Sequence, residues 1–239
     1  MATFILVHGG GHGGWCYNKL SPLLRSEGHI VLSPSLTGCG DRKHLATADV
    51  DLDTHITDIV NLLDYDDLSE VILVGHSYGG MVITGVADRA ADKIRILVYL
   101  DAAHPLNGES LRMVAPESIE PTYAGVRTVN GAEMVMWPSP GMAAFFGITD
   151  PADAAWADSK LTPHPWKCYA QPLNLTNGDA ASKVRRVNIN CTRSLRTSES
   201  RGITRQTQGE RNYEIDTGHD LMITEPRAVA DMLLEIARS

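Results

Sequence analysis

The chain predicts an α/β fold, a mostly parallel sheet of about six strands with helices on both faces. Three observations predict it. Short, wholly apolar runs such as Phe4-Ile5-Leu6-Val7 and Val71-Ile72-Leu73-Val74 suit strands buried on both sides of a parallel sheet. Helical stripes, such as Leu52, Ile56, Ile59 and Leu63, lie between those runs. Their alternation implies right-handed crossovers, which put helices on both faces and gather reactive groups at the carboxyl ends of the strands. With 239 residues and 43% hydrophobic content, the chain is long enough for one sizeable core.

The elements follow in order. Phe4–Val7 is the first strand, and it feeds His8-Gly9-Gly10-Gly11-His12-Gly13-Gly14-Trp15, a loop too rich in glycine for any regular element. A helix is expected over about 15–27, ending at Gly28, with Leu20, Leu23 and Leu24 inward. His29–Ser33 reads as the second strand, Pro34–Ala48 as a loop, and the Leu52–Leu63 stripe as a helix capped at its Asp51/Asp53 end. The strand Val71–Val74 runs through Gly75-His76-Ser77-Tyr78-Gly79 into a helix carrying Met81, Val82 and Val86. Ile94–Leu100 is a further strand, ending in Asp101.

From about Pro105 to Ala181 prolines, tryptophans and methionines replace the strand–helix rhythm, which reads as a helical lid. The organisation is therefore one folded domain: core 1–104, lid 105–182, core 183–239. The rhythm resumes with a strand over Val184–Cys191, a polar, weakly helical stretch at about 197–208 and a short strand over Asn212–Ile215. A C-terminal helix is expected from near Thr224, with Pro226 in its first turn and Val229, Met232, Leu233 and Ile236 inward.

Composition narrows the function. A net charge of -8 repels phosphate backbones and anionic lipid, so neither nucleic acid nor a membrane surface is an expected partner. The longest apolar runs are strand-sized, which excludes a hydropathic membrane span. Met1–Val7 lacks the basic region and cleavage site of a signal peptide. Cys16, Cys39, Cys168 and Cys191 lack metal spacing and read as reduced thiols in a cytoplasmic protein.

The chemistry centres on Gly75-His76-Ser77-Tyr78-Gly79. A Gly-x-Ser-x-Gly turn between a buried strand and an apolar helix is a nucleophile elbow, with Ser77 at its apex. A serine hydroxyl needs a base, and a histidine titrates near ambient pH. His219, past the last strand in Asp216-Thr217-Gly218-His219-Asp220, is where the base falls in this architecture. Two fixed N–H donors must hold the tetrahedral oxyanion; the amides of Tyr78 and Gly10 are the candidates. The glycine-rich loop lacks the Lys-Ser/Thr of a phosphate loop, and His8 and His12 are not on a helix. No metal and no cofactor is therefore expected, and His8 is expected to pin the loop.

Val7–Trp15, Gly75–Gly80 and Thr217–Asp220 together resemble the α/β-hydrolase fold. More narrowly, they resemble the branch of plant methylesterases of the salicylate-binding type, plant hydroxynitrile lyases and bacterial esterases, pyrethroid hydrolases included. Pro163-His164-Pro165-Trp166 with Gln171-Pro172-Leu173 also resembles this branch, and the resemblance spans essentially the whole chain. It implies the same roles for Ser77, His219, Gly10 and Tyr78.

The third member of the triad departs from the pattern. Members of the branch often carry an aspartate where this chain has Ser194, and no aspartate lies between Asp179 and Asp216. Some α/β-hydrolases draw the acid from the strand after the elbow strand, which points to Asp101, with Asp216 and Glu199 as weaker candidates. The lyases of the branch carry a threonine and a lysine at the positions of Gly9 and Asp220; an acidic Asp220 would disfavour developing cyanide.

Met113, Met134, Met136, Trp137, Met142, Phe145, Phe146, Trp156 and Trp166 suit adaptable apolar walls, although many must pack the lid onto the core. Gly9, His12, Trp137, Phe145, Trp166 and Met222 are the candidate pocket residues. Eight Lys/Arg against two acids over Lys183–Arg211 read as a solvated basic face. The expected function is a carboxylic-ester hydrolase acting on small, largely apolar ester substrates through an acyl-serine, with a homodimer allowed. The alternatives are lactone or amide hydrolysis, carbon–carbon lysis, or ligand binding without turnover on the same fold.

Overall fold

The computed structural model describes residues 1–200 and 202–239. Strand β1 (Thr3–Val7) leads through the glycine-rich loop to α1 (Ser21–Ser26) and β2 (Ile30–Leu32). Helix α2 (Leu52–Tyr65), β3 (Val71–His76), α3 (Gly79–Arg89) and β4 (Ile94–Leu100) follow. The insertion holds α4 (Leu111–Val114), α5 (Pro116–Tyr123), β5 (Arg127–Val129), β6 (Ala132–Val135), α6 (Met142–Phe145), α7 (Pro151–Asp158), β7 (His164–Pro165) and α8 (Lys167–Ala170). The chain returns through α9 (Ala180–Lys183), β8 (Arg185–Cys191), α10 (Thr192–Ser200), β9 (Arg211–Ile215), α11 (Leu221–Thr224) and α12 (Pro226–Arg238).

The central sheet has six strands in the order β2-β1-β3-β4-β8-β9, and every pairing is parallel. Alternate residues of β1, β3 and β4 feed two cores. Ile5, Val7, Leu73, Leu97 and Tyr99 meet Ile56 and Ile59 of α2 and Val82 and Val86 of α3. Phe4, Leu6, Ile72, Val74, Ile96 and Val98 meet Leu24 of α1 and Val229 and Leu233 of α12. Burial on both faces is why these strands show no polar alternation. The register pairs Val7 with Gly75 and Gly75 with Tyr99, so the loops leaving β1, β3 and β4 emerge side by side.

Local chemistry sets the boundaries. Asp51 caps α2 by accepting the Thr54 N–H at 2.9 Å, within a capping box. The expected 15–27 helix is instead a 3-10 turn at Gly14–Tyr17 followed by α1, because Pro22 lacks an N–H and fits only the first turn of a helix. The C-terminal helix likewise divides at Glu225, whose conformation the following Pro226 restricts. The polar helical stretch starts earlier than expected, at Thr192 directly after β8. Arg201, part of that stretch and of the basic segment, lies outside the described residues.

The insertion is not purely helical: β5, β6 and β7 form a three-stranded antiparallel sheet. These strands have 3, 4 and 2 residues, too few to show a period-two pattern in sequence. Among the described residues no helix is long and apolar enough to cross a membrane.

Candidate active site

Ser77 stands between the last residue of β3 and the first of α3, half-buried, with a φ of 53°. A left-handed serine is the mark of a forced reversal. Three glycines make it sterically feasible. A Cβ on Gly75 would lie 2.6 Å from the Gly79 carbonyl oxygen, and one on Gly79 the same distance from that of Val7. One on Gly80 would lie 2.0 Å from the Ala103 carbonyl oxygen. The Ser77 carbonyl accepts the N–H groups of Gly80 at 3.1 Å and Ala103 at 3.0 Å, tying the elbow to the segment after β4.

His219 arrives on the loop between β9 and α11. Its ring packs on that of His76, the residue before Ser77, with centroids 4.7 Å apart, and the His76 Nε2–H donates to the His219 carbonyl at 3.0 Å. Phe146 of the lid stacks on the same ring at 6.4 Å. The His219 Nδ1 lies 2.5 Å from Asp101 Oδ2. The His219 side chain is 30% exposed and that of Asp101 only 1%.

Asp101 directly follows β4 with a φ of 47°, and its N–H donates to the Ile189 carbonyl at 2.7 Å. Its Oδ1 accepts the Cys191 N–H at 2.9 Å, and its Oδ2 accepts the Ser194 hydroxyl at 2.8 Å. Ser194 thus supports the carboxylate. Asp216 is exposed and accepts the Thr192 hydroxyl, and Glu199 is exposed on α10. Burial pushes the Asp101 carboxyl up, but the hydrogen bond from His219, the imidazole charge and the bonds from Cys191 and Ser194 hold it below the usual carboxylate value. Burial pushes the His219 imidazole down, and Asp101 with Asp220 outweighs that and raises it.

The loop after β1 closes on the elbow. A Cβ on Gly9 would lie 2.8 Å from that of Ser77, and one on Gly10 would fall 1.8 Å from the Tyr169 hydroxyl. Gly10 is therefore required by the lid tyrosine, a reason invisible in the sequence. The His8 Nδ1–H donates to the Gly9 carbonyl at 2.8 Å, and its Nε2 accepts the Leu36 N–H at 3.0 Å. Because a trans peptide is planar, holding the Gly9 carbonyl aims the Gly10 N–H the opposite way. Burial lowers His8 to about 3, so it stays neutral, as this pairing requires. Among the described residues neither the Gly10 nor the Tyr78 amide donates a hydrogen bond.

Of the six candidate pocket residues, only Gly9 stands at Ser77. His12 is wholly buried, its ring nitrogens facing the Gly10 carbonyl and Asp220, so it lines no pocket. Met222 is buried in the core beside Leu221 and Ile223. Trp137 belongs to a satellite cluster with Ala46, Ala132 and Met134. Trp166 packs into the core against Tyr123, and Phe145 is 68% exposed at the rim, edge-on to Phe146. The lid side chains at the site are Phe146 on His219, Tyr169 against Gly10, and Met136, whose sulfur accepts the Tyr169 hydroxyl at 2.9 Å. Periodicity carries no signal for these contacts, since the lid has almost none.

Asp220 is fully buried and its Oδ2 faces His12, and its charge reaches the reacting centre through His219, whose pKa it raises. Four cations of the basic segment are ion-paired: Lys183 with Asp179, Arg185 with Glu210, Arg205 with Glu109 and Arg211 with Glu235. His55, His164 and Cys168 have one potential ligand atom each within 4.8 Å of one another. The His55 nitrogens are already committed, Nδ1 to the Tyr78 hydroxyl at 2.9 Å and Nε2 to the Thr37 carbonyl at 2.8 Å. That cluster therefore fixes the side chain of Tyr78.

Comparison with known proteins agrees with this architecture. The sequence profile of the Alpha/beta hydrolase family matches residues 4–232. A carbendazim hydrolyzing esterase of Nocardioides sp. (strain SG-4G) is 40% identical, with 98% of each chain covered. Salicylic acid-binding protein 2 of Nicotiana tabacum is 30% identical over 98% of this chain and 96% of its own. Tomato methylketone synthase I has the same fold, with a TM-score of 0.83 at 22% identity over 99% of this chain and 98% of that one.

Proposed function

The chain belongs to the alpha/beta hydrolase family and is a carboxylic-ester hydrolase, and we propose that it cleaves esters of small, largely apolar substrates through an acyl-Ser77 intermediate. The observation that carries this reading is the 2.5 Å contact between His219 Nδ1 and Asp101 at a serine elbow. With Nδ1 committed to the carboxylate, Nε2 is the nitrogen left to take the Ser77 proton. Ser77 attacks the ester carbonyl, and the amides of Gly10 and Tyr78 receive the oxyanion. The imidazolium then returns its proton to the leaving alcohol, and Asp101 balances its charge meanwhile. Water, deprotonated by His219, hydrolyses the acyl-enzyme and restores Ser77. Phe146, Met136 and Tyr169 favour an apolar acyl or alcohol group at this position.

The test is direct. A fluorophosphonate should label Ser77 alone, and a short-chain p-nitrophenyl ester should give a burst of p-nitrophenol. Both should vanish in Ser77→Ala. Turnover that persists in Ser77→Ala, or a protein that shows neither label nor burst, would end the acyl-serine reading.

A further inference from the structure

We propose that His12 is a positioning residue: an imidazolium, protonated on both nitrogens, that clamps the loop of Gly10 to the loop of His219 and cancels the charge of Asp220 beside the base. The inference deepens the esterase reading and rests on it. The His12 Nδ1 lies 2.8 Å from the Gly10 carbonyl oxygen, and its Nε2 lies 2.8 Å from Asp220 Oδ2. A carbonyl and a carboxylate both accept, so each ring nitrogen must donate. A neutral imidazole can meet only one of them.

The setting makes the charge consequential. His12 and Asp220 are both buried. The ring is stacked on Trp15 at 5.3 Å and touched edge-on by Phe146 at 5.0 Å and His76 at 5.9 Å. Removing one member of such a pair strands a charge in the interior. The titratable groups facing His12 are Asp220 and His219 from the base loop, His76 from the end of β3, His8 from its own loop and His164 from the lid. His8, His76 and His164 are held neutral by burial. That leaves Asp101, Asp220 and His12 as the charges around His219: Asp101 and Asp220 raise its pKa, and His12 and His219 repel one another when both are protonated.

One arrangement thereby does two things. It holds the Gly10 carbonyl, and with it the loop whose amide faces the oxyanion. It also keeps the Asp220 carboxylate from over-stabilising protonated His219, which would idle the base at neutral pH. A purely structural ion pair would lower the unfolding temperature when broken and leave the pH profile of the folded enzyme in place.

The first experiment is nitrogen-15 NMR of the histidine rings in the wild-type protein at neutral pH. Both His12 nitrogens should be protonated; a single protonated nitrogen overturns the proposal. This reading needs no ester turnover, so it separates failure of the clamp from failure of the acyl-serine mechanism. The second compares two variants, with p-nitrophenyl acetate as substrate. His12→Gln strands the Asp220 charge: the acid limb of kcat/KM should move up by about half a pH unit or more, and kcat should fall roughly tenfold with KM nearly unchanged. Asp220→Asn removes both charges while its amide can donate to His12 Nε2, so the Gly10 contact survives. Its limb should stay within about 0.3 units of wild type and its kcat within about threefold. An unshifted limb in folded His12→Gln, or an equal shift in both variants, overturns the proposal. If His12→Gln does not fold, the ring protonation and the Asp220→Asn profile decide.

Discussion

At the scale of single residues, the site concentrates backbone strain. Six non-glycine residues among those described have positive φ, and three of them, Ser77, Asp101 and Met136, lie at the site. Such conformations cost on the order of 1–3 kcal/mol each, so the surroundings must enforce them. For Asp101 the enforcement is visible as hydrogen bonds from Cys191, Ser194 and His219. Asp101→Asn should cut kcat by about 10⁴, because the amide favours the wrong imidazole tautomer. The same change should move the acid limb. Asp101 raises the His219 pKa, so base activity is lost as pH falls through a raised value; without the carboxylate that loss should occur at lower pH. A pH–rate profile of the residual activity checks the direction. Gly10 offers a second test. Gly10→Ala places a methyl in the Tyr169 hydroxyl and should lower kcat by about 10². Tyr169→Phe in that background should recover part of the loss, and no recovery would mean that the alanine acts through something other than this clash.

At the scale of elements, the elbow is a packing problem solved by β3, α3 and the segment after β4 together. Gly80 lies under the Ala103 carbonyl, and Gly80 and Ala103 both donate to Ser77. Gly80→Ala should therefore force α3 away from β4, costing about 2–3 kcal/mol in urea unfolding and lowering kcat more than it raises KM. An alanine variant with wild-type stability and rate would show that this junction yields freely. The elbow, its flanking strand and helix, and the histidine past the last strand were legible in the sequence, because buried parallel strands leave unbroken apolar runs and a sharp turn leaves glycines. Asp101 was legible as a candidate through its place at the end of β4. The lid was not. Its strands are too short for a period, and Trp137, Trp166 and Met222 look alike in composition whether they pack a core or face a substrate. The roles of His12 and Asp220 were illegible for another reason: 208 positions separate them, and only folding makes them a pair.

At the scale of the whole molecule, the distribution of buried histidines dictates how the fold responds to acid. Burial lowers His8 and His76 to about 3 and His104 to about 4, and lowers His55 and His164 as well. Each is neutral in the native state, whereas in the unfolded chain it takes up a proton near the ordinary value of 6.5. The unfolded state then binds more protons, so stability falls as pH drops below that value and keeps falling until the folded pKa is reached. At about pH 5 each fully suppressed histidine costs roughly 2 kcal/mol, and three of them cost roughly 6, comparable with the whole stability of an ordinary domain. The paired groups behave otherwise. His12 and His219 have raised pKa values, so their contribution is complete below 6.5 and is lost only as pH rises through the folded values. Asp101 and Asp220 are depressed, so theirs persists until pH falls below 3.8. The acid sensitivity therefore belongs to the histidines that burial keeps neutral and should appear well above the carboxylate range. Urea midpoints measured from pH 8 down to 5 should climb toward about 6.5, as His12 and His219 regain their contribution, and then drop steeply. A midpoint that holds to about pH 4 would show that these rings accept protons within the native fold, and the neutral tautomers that pin the Gly10 loop and the Tyr78 side chain would have to be reassigned.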